Sequence, residues 1–143
     1  MSGRSQAREG FPRRDAEGRI RTLADLLGAS LAGLVVGLLA LVLFDGVVAL
    51  AGSAEFGRAN GWLAVILPAW FYLEDFRAWS YGAARVAAAL VAAAGSVAAA
   101  LLVAGLSAGL PPLVSGGLAA TVFTIGYAVV WFHGVRWLVA RTG

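Results

Sequence analysis

The sequence predicts an all-α, polytopic membrane protein, in which four transmembrane helices form a compact bundle and the N-terminus and the C-terminus are both cytoplasmic. The first observation is the composition: of the 143 residues, 60% are hydrophobic and only 13% are charged, whereas a soluble domain carries about 25% charged residues. A small core cannot bury so much apolar surface, and we therefore expect lipid to cover the remainder. The second observation is a series of long apolar segments, and the third is an uneven distribution of arginine.

The N-terminal segment, residues 1–18, is polar and rich in Gly, Ser and Arg. We interpret it as a flexible, basic cytoplasmic tail and residues 19–143 as the transmembrane domain. Between Asp15 and Leu27 apolar residues recur at helical spacing, which predicts a short interfacial helix. A basic segment of a soluble chain can indicate nucleic-acid binding, but before a membrane span it is typical of a positive-inside anchor. We therefore expect no nucleic-acid partner.

The first span is predicted at about residues 26–50 and is interrupted only by Asp45. A helix of this length rises about 37 Å, which is enough to cross a hydrocarbon core of about 30 Å. A secretory signal peptide is the competing interpretation, but the apolar region of such a peptide is only about 7–15 residues long. The segment is too long for that, and we interpret it as a membrane anchor.

The second span is predicted from the shortest apolar segment. The 13 residues that begin at Gly61 would rise only about 20 Å as a helix and could not cross the bilayer alone. The segment is therefore either re-entrant or continues through Glu74 and Asp75, over residues 60–79, for about 28 Å. Pro68 is expected to bend this helix at mid-depth.

The third and fourth spans are predicted at about residues 83–108 and 113–138, joined by an uncharged turn at Pro111–Pro112. The distribution of arginine then distinguishes four spans from three. With four spans, ten of the 11 arginines share the cytoplasmic side and only Arg58 lies outside. A re-entrant second segment would move the two C-terminal arginines to the outside. The positive-inside rule therefore favours four spans.

Small residues recur at every fourth position in the first, third and fourth predicted spans. Such stripes allow helix backbones to approach closely, which holds helices together in lipid. The longest stripe is in the alanine-rich third span, and we expect this helix near the centre of the bundle. The alternative is that a high alanine content produces the stripe by chance. The residues predicted to mediate packing are Gly33, Gly37, Ala88, Ala92, Ser96, Ala100, Gly116 and Ala120.

Charged residues inside membrane spans are costly, which makes them candidates for function. Most of those in this chain are predicted to lie near the cytoplasmic interface. In one interpretation they fix the depth of the helices, either hydrated or in ion pairs that join the second and fourth spans. In the other they form a cytoplasm-facing site, in which arginines bind an anionic headgroup and His133 relays a proton. The candidate functional charges are Asp45, Glu74, Asp75, Arg77, Arg85, His133 and Arg136.

Asp45 differs from the other charges because it lies towards the outer end of the first span. We expect it to pair with Arg58 or to reach the outer interface. If it faces the interior of the bundle instead, it is the best candidate for a proton or cation step.

Several classes of chemistry lack their characteristic residues. The sequence contains no cysteine, which excludes disulfides and thiolate nucleophiles. It also contains no P-loop, GxSxG, HExxH or EF-hand motif, so an enzyme is not the favoured interpretation. No metal site and no cofactor are predicted, because a haem held by His133 would need a second histidine from another chain.

We therefore expect a small integral membrane protein that acts as an accessory, assembly or scaffolding subunit of a larger membrane complex, or as a self-assembling bundle. The alternative is an oligomeric small transporter or channel that uses Asp45 and Glu74. The expected partners are the lipid bilayer and other membrane protein subunits or further copies of the chain. The expected location is a cell membrane, crossed several times, and specifically the cytoplasmic membrane of a bacterium. The arginine- and alanine-rich composition indicates a GC-rich genome.

Overall fold

The computed structural model describes residues 12–80 and 82–142, so most of the predicted tail over residues 1–18 lies outside the described residues. In the described part the protein is all-helical, as predicted, and apart from an isolated bridge between Arg14 and Ile20 it has no β-structure. The first, third and fourth of its four α-helices are each long and apolar enough to cross a membrane, which indicates a membrane protein. The elements are α1 (Leu23–Leu50), a 3₁₀ helix (Gly61–Val65) that leads into α2 (Ile66–Ala78), α3 (Ala83–Leu106) and α4 (Pro112–Thr142).

Residues 12–22 form a tight hairpin before α1, which we call the N-terminal hairpin. The backbone N–H of Gly18 donates to the carbonyl oxygen of Asp15 at 3.0 Å, and Gly18 has a φ of +87°. Only glycine adopts this backbone conformation without steric cost. The Asp15 side chain accepts hydrogen bonds from the N–H groups of Glu17 and Arg19, at 3.0 and 2.9 Å, and these bonds favour a turn over a helix.

Helix α1 begins at Leu23, so the prediction of an interfacial helix that starts near Asp15 is wrong. The side chain of Thr22 accepts a hydrogen bond from the N–H of Asp25 at 3.1 Å, which caps the helix. The turn bonds of Asp15 and the positive φ of Gly18 hold the preceding residues outside the helix. The apolar residues whose spacing suggested one helix therefore belong to two different structures, the N-terminal hairpin and the first turns of α1.

The GxxxG element of α1 packs against the second helical segment of the same chain. A Cβ atom at Gly33 would lie 3.1 Å from the Cβ of Leu67, and one at Gly37 would lie 3.1 Å from the Cα of Ala64. Glycine at both positions therefore allows α1 to approach the 3₁₀ helix and α2 closely.

The segment predicted as the second span is a composite of two helix types. The side chain of Asn60 accepts a hydrogen bond from the N–H of Trp62 at 3.0 Å and caps the 3₁₀ helix, which changes into an α-helix at Ile66. Pro68 lies in the first turn of α2, where an α-helix does not need its missing N–H. The departure from a regular α-helix therefore precedes Pro68, whereas we predicted a bend at this residue.

Helix α4 lies at the centre of the bundle, so the prediction of a central third span is wrong. Helix α4 contacts α1, the 3₁₀ helix, α2 and α3, whereas α3 packs against α4 and makes few contacts with any other element. The inner face of α3 is one narrow stripe of small residues, and larger side chains such as Leu90 and Leu101 are exposed. Apart from Arg85 in the first turn, this face carries no long side chain, so along most of its length α3 reaches only α4. The predicted packing residues of α3 that are buried are Ala88, Ala92, Ser96 and Ala100. On α4, Gly116 packs against Gly61 of the 3₁₀ helix, and Ala120 clusters with Leu34 and Ala64.

The bundle has two chemically different ends. At the hairpin end, the N-terminal hairpin contacts the C-terminal parts of α2 and α4. At the loop end, residues 51–60 meet the turn before α4, where the N–H of Leu113 donates to the carbonyl oxygen of Gly57 at 3.0 Å. Between the two ends, aromatic rings of α2 and α4 stack, with centroids 4.4 Å apart for Tyr72 and Tyr127.

Candidate functional site at the hairpin end

Asp75 is the centre of a polar cluster at the hairpin end. Its side chain is fully buried, at 0% exposure. It accepts a hydrogen bond from the N–H of Ile20 at 2.8 Å and another from the indole N–H of Trp131 at 2.7 Å. Since a buried carboxylate is tolerated only when it is hydrogen-bonded or paired, these two bonds explain how Asp75 is accommodated. They also join three elements, which are the hairpin, α2 and α4.

Arg136 completes the attachment of the hairpin to α4. Its guanidinium donates to the carbonyl oxygen of Ile20 at 2.5 Å and to that of Phe132 at 3.2 Å. The same group lies 3.7 Å from the ring centroid of Phe132. Ile20 therefore has both of its backbone groups bound by side chains from other helices, while its own side chain is fully buried. It is the anchor of the hairpin in the bundle.

The remaining cationic groups of the cluster pack against the aromatic rings of Trp79 and Phe76. The guanidinium of Arg19 lies 4.2 Å from the centroid of Trp79, and that of Arg85 lies 4.3 Å from the centroid of Phe76. Arg85 also donates to the carbonyl oxygens of Phe76 and Trp79, at 3.1 and 3.3 Å, and so binds the C-terminal end of α2. The indole nitrogen of Trp79 has no hydrogen-bond partner in the described part of the chain, so packing and cation–π contacts hold this ring.

Two ion pairs lie at the rim of the cluster. Arg13 donates through its backbone N–H and its Nε to Asp25, at 2.8 and 3.0 Å. Arg14 pairs with Glu74 at 3.3 Å, and Glu74 also accepts from the indole N–H of Trp70 at 2.9 Å. Because Arg14 and Glu74 are both partly exposed, we expect their pair to contribute little stability by itself. Asp25 is buried, whereas its partner Arg13 is exposed.

The structure brings together four of the predicted functional charges and separates two others. Glu74, Asp75, Arg85 and Arg136 belong to the cluster, whereas Arg77 and His133 are exposed. The ring of His133 makes an edge contact with Phe132, with centroids 5.4 Å apart.

The expected ion pairs between the second and fourth spans are not found among the residues that the structure describes. The ion pairs there join the hairpin to α1 and α2 instead. Helices α2 and α4 are connected by hydrogen bonds from Trp131 to Asp75 and from Tyr72 to the carbonyl oxygen of Thr124. On α4, the donor to the buried carboxylate of Asp75 is the neutral indole of Trp131. Burying an indole costs much less desolvation free energy than burying a second charged group.

Asp45 binds the backbone of the loop after α1. It is buried, at 4% exposure, and accepts hydrogen bonds from the backbone N–H groups of Gly57 and, at 3.0 Å, Ala59. Arg58 lies between these residues, but neither of the ion pairs found among the described residues includes it, so the predicted pair between Asp45 and Arg58 is not found there. The carboxylate holds the loop after α1 against the helix.

Several residues of the two ends were not singled out from the sequence. They include Ile20, Trp79 and Trp131 at the hairpin end and Gly61 at the loop end. A detectable signal existed for the hairpin, because aspartate at the first and glycine at the fourth position of a tetrapeptide favour a type I turn. No comparable local signal marks Ile20, whose partners are distant in sequence.

The carboxylate at the centre of the cluster is fully occupied by contacts within the chain. Both oxygens of the Asp75 carboxylate accept hydrogen bonds, and no group of three or more His, Cys, Asp or Glu side chains that could hold a metal occurs among residues 12–80 and 82–142. Comparison of the chain with protein-family models, with curated proteins and with solved structures finds no match.

Proposed function

We propose that this chain is an accessory, assembly or scaffolding subunit of a larger membrane complex, built as a four-span bundle with both termini cytoplasmic. The proposal rests on a contrast between polar groups that are bound inside the chain and apolar faces that are exposed. The buried carboxylates Asp25, Asp45 and Asp75 are all bound within the chain, whereas α1 and α3 expose long apolar faces. Large exposed side chains on these faces include Val35, Leu39, Leu43, Phe44 and Val47 on α1 and Leu90, Val91, Leu101, Leu102 and Leu106 on α3.

The length and path of the segment made of the 3₁₀ helix and α2 support its assignment as a membrane span, in addition to α1, α3 and α4. Five 3₁₀ residues and 13 α-helical residues rise together about 30 Å, which matches the hydrocarbon thickness. The segment starts beside Gly116 at the loop end, where Gly61 packs, and it reaches Ile20 at the hairpin end through Asp75. It therefore runs antiparallel to α1 between the two ends.

The distribution of arginine supports a cytoplasmic hairpin end. Of the described arginines, only Arg58 belongs to the loop end. Under the positive-inside rule the arginine-rich end faces the cytoplasm. The arginines of the hairpin end are Arg13, Arg14, Arg19, Arg21, Arg77, Arg85, Arg136 and Arg141.

Single-cysteine labelling tests the topology, because the chain contains no cysteine of its own. In intact cells a membrane-impermeant maleimide should label Ser53→Cys in the loop, and it should label Glu17→Cys in the hairpin only after permeabilisation. Buried Ser96→Cys is the matched unreactive control. Labelling of Thr142→Cys in intact cells would contradict the four-span topology, because an odd number of spans places the two termini on opposite sides.

Native mass spectrometry after mild detergent extraction tests the role as a subunit. We expect a discrete species heavier than the 14.7 kDa chain, in which chemical cross-links map to the exposed faces of α1 and α3. A particle of one chain in several mild detergents, with no cross-linked neighbour in native membranes, would contradict the proposal.

The alternative function, an oligomeric small transporter or channel that uses Asp45 and Glu74, has weaker support. The two residues lie at opposite ends of the bundle, and each is already bound within the chain. Ion flux through reconstituted vesicles that is abolished by Asp45→Asn or Glu74→Gln would restore this alternative.

A further inference from the structure

An apolar groove opens between α2 and α3. These two helices make almost no contact with each other and are connected mainly through α4. The groove has a volume of about 330 Å³ and is lined by Ala69, Leu73 and Phe76 on α2, by Ala89 on α3, and by Phe123 and Tyr127 on α4. The small side chains of Ala69 and Ala89 keep it open.

The lining of the groove is almost entirely apolar. The hydroxyl of the adjoining Tyr72 donates to the carbonyl oxygen of Thr124 at 2.5 Å and is therefore satisfied inside the protein. In a bilayer, an apolar groove that opens sideways between helices is filled by an acyl chain or by apolar side chains of another protein. The charge at its end distinguishes these two occupants.

Two arginines lie where the groove reaches the hairpin end. Arg85 is one helical turn before Ala89 and places its guanidinium 4.3 Å from the ring centroid of Phe76 in the groove wall. Arg77 follows Leu73 by four residues, which places the two on the same side of α2. Arg77 is exposed, and no residue of the described chain forms an ion pair with it.

The acidic residues near this point are already bound elsewhere. Glu74 pairs with Arg14, and Asp75 is buried in its bonds to Ile20 and Trp131. Because arginines also outnumber acidic residues at the hairpin end, the end of the groove is cationic, and an uncharged partner helix would leave Arg77 without a counter-ion. An apolar groove with a basic group at the level of the headgroups is suited to an anionic lipid.

We propose that this groove binds one anionic phospholipid, with an acyl chain against Phe123 and Tyr127 and the phosphate at Arg77 and Arg85. Arg77 supplies the contact to the phosphate that separates anionic from neutral lipids. Arg85 supports the site from the other wall, because it also holds the C-terminal end of α2 in place. The proposal requires a membrane location and is independent of the proposed role as a subunit.

Lipid titration followed by native mass spectrometry tests the proposal. The full chain is delipidated in detergent and titrated with phosphatidylglycerol or with phosphatidylcholine of the same chain length. We expect one tightly bound phosphatidylglycerol and at least about tenfold weaker binding of phosphatidylcholine. Arg77→Gln should weaken phosphatidylglycerol about fivefold, as expected for the loss of one arginine near the headgroup, and leave phosphatidylcholine unchanged. The matched control Arg58→Gln removes an exposed arginine at the other end and should change neither.

A second pair of variants tests the groove itself. Ala89→Leu fills the groove and should weaken both lipids equally, whereas Ala87→Leu places the same side chain on the exposed side of α3 and should weaken neither. If Ala89→Leu fails to fold, as judged by gel filtration, Ala69→Leu fills the groove from the α2 side.

Three results would overturn the proposal. The first is equal binding of the two lipids by the unmodified chain. The second is an equal loss in Arg77→Gln and Arg58→Gln, which would indicate unspecific attraction. The third is a dimer that Ala89→Leu disrupts and phosphatidylglycerol leaves intact, which would identify a second copy of the chain as the occupant.

Discussion

The two ends of the bundle are held together by different kinds of contact. At the hairpin end, long side chains connect the elements: Asp75 binds Ile20 and Trp131, and Arg136 binds the backbone of Ile20. At the loop end the backbones themselves meet, because a Cβ atom at Gly116 would lie 2.7 Å from the backbone nitrogen of Gly61.

This difference predicts how strongly substitutions at each end affect stability. A side-chain contact can lose one hydrogen bond while its neighbours adjust, so its loss has a limited cost. A backbone contact between two glycines has no flexible group that can move aside, so an added methyl must separate whole helices. We therefore expect the largest effect from a substitution that adds a side chain to a packed glycine of the loop end.

The largest effect is expected for Gly116→Ala. The new methyl group would overlap the backbone nitrogens of Gly61 and Trp62, both 2.7 Å away, and we expect a loss of about 3 kcal/mol in the free energy of unfolding. The matched control is Gly95→Ala in α3, where no atom lies within 4 Å of the added Cβ and the change should be neutral or slightly stabilising. Denaturant titration in mixed micelles measures both, and similar values for the two variants would refute a close contact at Gly116.

A somewhat smaller effect is expected for Asp75→Ala at the hairpin end. The substitution leaves the N–H of Ile20 and the indole N–H of Trp131 buried without acceptors, which should cost about 2–3 kcal/mol of unfolding free energy. Glu74→Ala is the control, because this neighbouring acid is partly exposed and should cost less than about 1 kcal/mol.

A double-mutant cycle with Trp131→Phe makes the prediction for Asp75 specific. The phenylalanine removes the donor, so the double variant should be less destabilised than the sum of the single variants. Simple additivity would show that the hydrogen bond between Trp131 and Asp75 contributes nothing.

Asp45→Ala should have an intermediate effect of about 1–2 kcal/mol, because the N–H groups of Gly57 and Ala59 lose their acceptor close to the bundle surface. Asp45→Asn retains one acceptor oxygen and should recover part of the loss. Glu55→Ala, in the exposed part of the same loop, should be nearly neutral. If Asp45→Ala is as stable as the unmodified chain, Asp45 does not hold the loop and a functional role for it becomes more attractive.

The sequence predicts where each long helix begins and ends much better than it predicts which helices pack against each other. Long apolar segments place α1, α3 and α4 within a few residues, since each must match the same thickness of lipid. The stripe of small residues on α3 likewise identifies its inner face. It does not indicate how many neighbours that face meets, which is why α4 and not α3 is central.

The polar cluster depends on contacts between distant parts of the chain, and these were not predictable from local patterns. Asp75 lies 55 residues from Ile20 and 56 from Trp131, and no spacing rule connects them. One interpretation of the sequence was that ion pairs join the second and fourth spans, but Arg14 binds Glu74 instead. Arg14 belongs to the N-terminal hairpin. Because residues 1–18 were interpreted as a flexible tail, Arg14 was not considered as a partner for Glu74.

The smallest effect is expected for His133→Ala, although His133 was a candidate for proton transfer. The ring is exposed and touches only the edge of Phe132 among the described residues, so its removal should change the unfolding free energy by no more than about 0.5 kcal/mol. Arg136→Ala, one turn further along α4, is the contrasting variant, because it removes the donor to Ile20 and should cost clearly more. Equal costs for the two substitutions would show that the hairpin is not anchored through Arg136, and the contrast between the two ends would then rest on Asp75 alone.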